Sequence, residues 1–126
     1  MSVYNIGRLD MVHPDLIRLV NDVGSTDDIE VIQGARTIER EQADIDAGRS
    51  ALKDPAHSKH VLVPDTRPLA EAVDLARYPV DWADLDGFKS LGSRMKERAA
   101  TLGIGLVWGG DWLSLHDYDH FELATA

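Results

Sequence analysis

Asp117-Tyr118-Asp119-His120-Phe121-Glu122-Leu123, read together with Ser58-Lys59-His60, Glu71-Ala72-Val73-Asp74 and Trp108-Gly109-Gly110-Asp111-Trp112, carries the reading of this chain. His60, Asp74 and His120 each sit in apolar, strand-like sequence, and a further carboxylate, Asp117, stands three residues before the last histidine. Two imidazoles and a carboxylate are the parts of a catalytic zinc site that keeps its fourth position open.

Working outward, the rest of the chain supplies a scaffold for those parts. Val12, Leu16, Leu19, Val20 and Val23 recur at helical spacing, with Pro14 in the first turn and Gly24 past the end, which predicts a helix over 12–23. Ile29 to Gln33 reads as a short strand, and Thr37 can cap a second helix running to Ala47. Residues 49–59 read as loop, with Asp54-Pro55 as the turn signal. His60 to Val63 and Ala72 to Leu75 read as strands, separated by a piece whose Pro64 and Pro68 exclude interior strand. A long helix is predicted over Leu85 to Leu102, with Leu85, Phe88, Leu91, Met95 and Ala99 on one face and Gly103 closing it. Ile104 to Trp108 and Phe121 to Leu123 complete the strands. The expected fold is therefore α+β: a small antiparallel sheet flanked by helices, one domain over 1–126, with the zinc site at the sheet.

Composition narrows the function. A chain of 126 residues fits one domain and is expected to leave no room for a separate targeting module. Against 22 acidic side chains stand only 13 basic ones, and the net charge of −9 argues against a nucleic-acid partner. No stretch approaches the length of a membrane span, and Met1 to Asp10 lacks the pattern of a secretory signal. With no cysteine, any metal falls to His, Asp and Glu, which points to a catalytic rather than a structural site.

Ser58-x-His60, Ala72-x-Asp74 and Asp117-x-x-His120, in that order, resemble the zinc peptidases of bacterial cell-wall peptides. That family holds the phage L-alanyl-D-glutamate endopeptidases and the vancomycin-resistance D,D-dipeptidases and carboxypeptidases. The resemblance runs from Val12 to Leu123, and Trp108 to Trp112, His120 to Leu123 and His13 to Leu16 favour the L-alanyl-D-glutamate branch. It implies a peptidoglycan stem-peptide hydrolase of phage endolysin type with Zn2+ on His60, Asp74 and His120. Such an enzyme, expected as a monomer made in the bacterial cytoplasm, would reach the wall after release of the holin kind. A D-Ala-D-Ala carboxypeptidase is the alternative bond specificity. A module that has lost metal or base and only binds a wall fragment or another protein is the alternative class.

The remaining roles follow from the same comparison. Asp117 is the expected catalytic carboxylate, because the family's acid stands three positions before the last ligand. Asp119 is its rival, set aside because alternate strand residues face opposite ways. Arg36, after one strand and before a helix like the family's arginine, is expected to hold an oxyanion or a substrate carboxylate, or else to pair with Glu39 or Glu41. Gln42 is expected to pack beneath the site. Ser58 either binds substrate or orients its loop, while Trp108 and Trp112 wall pocket and core, with Trp112 on the substrate side. His57 and His116 are read as outside the ligand set, and His13 as a helix-entry residue. The stretch 61–71 lacks the family's glycine and is longer than the usual connection; it is either a surface insertion or a lip on the groove.

Overall fold

The computed structural model describes residues 1–48, 58–114 and 116–124. Five strands form one sheet in the order β1-β2-β3-β5-β4: β1 Val3–Tyr4, β2 Ile29–Gln33, β3 Ala72–Arg77, β4 Leu106–Trp108 and β5 His120–Leu123. All pairings are antiparallel except β1 with β2, so the sheet is mixed. The two-residue β1 carries no periodicity that sequence could reveal.

Three helices flank the sheet: α1 Pro14–Gly24, α2 Ile38–Asp46 and α3 Leu85–Leu102. Each is capped as its sequence dictates. The His13 side chain accepts from Asp15 N, Thr37 from Arg40 N and Asp84 from Gly87 N, which satisfies amides that the first helical turn leaves without partners. Gly103 ends α3 in the left-handed region at φ 73°. None of the described helices is long and apolar enough to cross a membrane.

Alternation along the strands separates two faces. Ile29, Val31, Val73, Leu75 and Phe121 are buried with Leu16, Leu19, Val20 and Val23 of α1 and Leu91, Met95 and Ala99 of α3, and this apolar cluster is the core. Asp74, His120 and Glu122 occupy the intervening positions and face the other way. The sheet thus stabilises the fold with one face and presents chemistry on the other.

Two expectations need correction. His60 to Val63 is not a strand: Val61 and Val63 make only isolated bridges, to Arg36 and Arg67 respectively. Pro64 shortly after denies the segment a ladder, and the chain turns back at 63–67 instead. On α3, Leu85 lies outside the core that the rest of its stripe enters, at 42% exposure. Of the predicted loop 49–59, residues 49–57 lie outside the described residues, His57 among them.

Candidate metal centre and active site

Asp74 and His120 are cross-strand partners in register on β3 and β5, so their side chains emerge side by side. His60 reaches them from the turn before the 61–71 stretch. Its own backbone is pinned there: Arg36 N donates to His60 O at 2.7 Å, and Leu62 N to Arg36 O at 2.8 Å. His60 Nε2 lies 3.1 Å from Asp74 Oδ1 and 3.3 Å from His120 Nδ1, and His120 Nδ1 lies 3.2 Å from Asp74 Oδ1. One ligand atom from each residue falls within 4.8 Å of the others, which makes this a cluster able to hold a metal ion.

The outer hydrogen bonds decide which nitrogens face inward. His60 Nδ1 is 2.8 Å from Gly34 O, and a carbonyl can only accept, so Nδ1 carries the proton and Nε2 is left as the ligand atom. His120 shows the reverse: Nε2 is 2.8 Å from Glu122 Oε1, leaving Nδ1 to face Asp74. Glu122 is held in turn by Lys59 Nζ at 3.2 Å. Gly34 can take no side chain, because a Cβ there would run into the Arg8 carbonyl. Gly34, Glu122 and Lys59 were not singled out in the sequence. For Glu122 a signal existed, since the i, i+2 spacing to His120 on a strand puts both on one face.

Electrostatics follows this geometry. Burial opposes charge on Asp74, but hydrogen bonds from His120 and His60 outweigh it and hold the carboxyl down to about 2. Burial also disfavours a charged His120, yet its bonds to Asp74 and Glu122 raise it to about 9. Burial, a hydrogen bond with Asp117 and the Asp74 charge together push Asp119 up to about 8. Glu122 is held below the usual carboxylate range because bonds from His120 and Lys59 exceed the cost of its burial.

β5 begins only at His120, so alternation does not govern residue 119, which lies in the preceding turn and pairs with Asp117. That turn is seated on Gly109: Asp117 N donates to Gly109 O at 3.1 Å, and a Cβ at Gly109 would collide with the Asp117 carbonyl. Trp112 packs on His120 with ring centroids 5.2 Å apart, whereas Trp108 is buried in the core. Ser58 Oγ accepts from His60 N at 3.3 Å, within the ligand's own turn.

Arg36 forms its ion pair with Glu41, which is fully buried, and also bonds Gln33. Its Nε is the buried side-chain polar atom without a partner among the described residues. Gln42 is not beneath the site: it is exposed and bonds Asp46 at 2.9 Å, because α2 turns Glu41 inward instead. His116 is exposed, stacks on Tyr118 and stays outside the cluster. Arg67 Nη1 donates to the carbonyls of Ser58 and Val61, so the 61–71 stretch folds back to brace the turn that carries His60.

A mixed sheet carrying a His-Asp-His cluster, with both imidazoles oriented by further hydrogen bonds, defines a candidate metal-binding enzyme site. The family model for phage L-alanyl-D-glutamate peptidases matches residues 1–125, and the chain belongs to that family. An L-alanyl-D-glutamate peptidase of Escherichia phage T5 is 35% identical over 99 residues, covering 76% of this chain and 66% of that relative. The crystal structure of the Serratia marcescens L-Ala D-Glu endopeptidase ChiX superimposes with a TM-score of 0.77 at 28% identity, covering 94% of this chain and 84% of that one. The D,D-pentapeptidase VanY of vancomycin resistance, solved in complex with Zn(II), shares the fold: the TM-score is 0.55 at 14% identity, covering 89% of this chain and 72% of that one.

Proposed function

We propose that this chain is a zinc-dependent peptidase that hydrolyses the L-Ala-D-Glu amide of the peptidoglycan stem peptide, acting on the wall as a phage-type endolysin. The observation that carries the reading is the convergence of His60 Nε2, Asp74 Oδ1 and His120 Nδ1 within 4.8 Å. Family membership supports the bond and the substrate class.

The residues present fit zinc. Two imidazole nitrogens and one carboxylate oxygen, with no thiolate in the chain, are the donor set of a catalytic site. The chemistry zinc supplies when bound there is Lewis acidity, which polarises an amide carbonyl and lowers the pKa of water. In this reading Asp117 takes the proton of the attacking water and returns it to the leaving amine nitrogen, while Asp119 shares its hydrogen bond and holds it in place. Arg36, whose backbone bonds the turn that carries His60, provides positive charge beside that turn for a developing oxyanion or a substrate carboxylate. Trp112 covers His120 and keeps water from that side of the site.

The test is digestion of purified peptidoglycan by the zinc-loaded protein, with the products identified by mass. New N-terminal D-glutamate is the expected outcome. Release of terminal D-alanine would reassign the bond, and no new terminus at all would favour a binding module.

A further inference from the structure

Helix α3 extends its apolar stripe one turn beyond the core. Phe88, Leu91, Met95 and Ala99 are buried, but Leu85 is 42% exposed and Trp82, just before the helix, is 62% exposed. The indole is ordered on one face only: it stacks on Phe88 with ring centroids 5.7 Å apart and 19° between planes. A ring so exposed with one face on Phe88 leaves its other face to solvent.

Together Trp82, Leu85, Phe88, Tyr118 and Asp119 line a groove of about 180 Å³. It adjoins the turn that carries Asp117 and leads into His120, since Tyr118 and Asp119 of that turn form part of its lining. Asp119 is the one carboxyl among the lining residues, and no Lys or Arg lines the groove.

Charge decides which side of the substrate such a groove accepts, and here the argument rests on the peptidoglycan reading above. At an L-Ala-D-Glu bond the glutamate side carries a carboxylate. The alanine side leads through the lactyl ether to an uncharged N-acetylated sugar. A groove with no cation gives the first no partner for its charge, and an aromatic face suits the second. The C–H bonds on the flat face of a pyranose meet the negative face of an indole, and sugar hydroxyls or the acetamido N–H find an oxygen acceptor in Asp119.

We propose that the Trp82 groove is the subsite for the N-acetylmuramyl ring of the glycan strand, with Trp82 as the stacking platform and Asp119 as the polar contact. The enzyme then reads the sugar attached to the peptide as well as the peptide bond it cuts.

The experiment compares kcat/KM of the zinc-loaded full chain on two substrates: a muramyl-peptide, and the same peptide carrying a simple N-acetyl group in place of the sugar. The wild type is expected to prefer the muramyl substrate, and Trp82→Ala to reduce that preference ratio about tenfold, as expected for loss of one aromatic contact. Trp82→Phe keeps a ring and should restore most of the ratio. An unchanged ratio in Trp82→Ala, or no wild-type preference, overturns the proposal. If the wild type cuts neither substrate, the peptidase reading itself fails. Calorimetric titration of the muramyl-peptide then judges the groove separately, and equal affinity in wild type and Trp82→Ala overturns it.

Discussion

Removing the carboxylate of Glu122 tests the outer shell of the site. His120 Nε2 and Glu122 Oε1 are 2.8 Å apart, and Lys59 Nζ holds the same carboxylate at 3.2 Å. In Glu122→Ala the imidazole loses the acceptor that fixes its tautomer, and the ring becomes free to present either nitrogen. A hydrogen bond to a charged group contributes about 1.5–3 kcal/mol, and outer partners of ligating histidines typically change metal affinity about 10- to 100-fold. Glu122 is half-buried, so solvent screens part of this interaction, and a loss nearer tenfold is expected. Glu122→Gln keeps an oxygen acceptor and the volume but not the charge, and should fall between wild type and Glu122→Ala. The assay is competition for zinc against a chromophoric chelator at fixed pH, with circular dichroism to confirm the fold. If Glu122→Ala binds zinc within twofold of wild type while His120→Ala loses it, the outer-shell argument is refuted.

Other outcomes follow from the same geometry. His60→Ala and His120→Ala should each abolish stoichiometric zinc by metal analysis, whereas His116→Ala, outside the cluster, should retain it; full retention in both ligand variants would end the assignment. At matched zinc loading, Asp117→Asn should lower wall hydrolysis by about two powers of ten or more, and Asp119→Asn by less. The opposite order would exchange their roles. Arg36→Ala should cost about 1.5–3 kcal/mol in urea denaturation, because it removes a charge-assisted hydrogen bond from the buried Glu41 carboxylate, and Glu41→Gln in the same chain should recover part of that loss. Equal stability of Arg36→Ala and wild type would show that the pair carries no structural role.

Much of the scaffold was legible because it is local. Helical spacing of Leu16, Leu19, Val20 and Val23, a cap at Thr37 and a glycine at Gly103 act within a few residues of themselves, and α1, β2, α2 and α3 lie where those signals put them. The segment His60 to Val63 misled because an apolar run looks the same whether it pairs in a ladder or crosses a site as a turn. Alternation likewise says nothing about Asp119 until the first residue of β5 is known, and hydrogen bonding across the sheet decides that.

By itself the sequence determined the kind of chemistry available. It holds no thiolate and an excess of acid, and His60, Asp74 and His120 stand at separations that only a folded sheet can close. Only the tertiary structure decided how they meet. The register of β3 on β5 sets Asp74 beside His120, and Gly34 O and Glu122 choose which imidazole nitrogens turn inward. Burial of Glu41 fixes the partner of Arg36, and the turn before β5 brings Asp119 to Asp117. These are contacts between residues far apart in the chain or at the ends of elements, where neither periodicity nor propensity carries information, because packing and hydrogen-bond satisfaction are settled only when the whole domain closes.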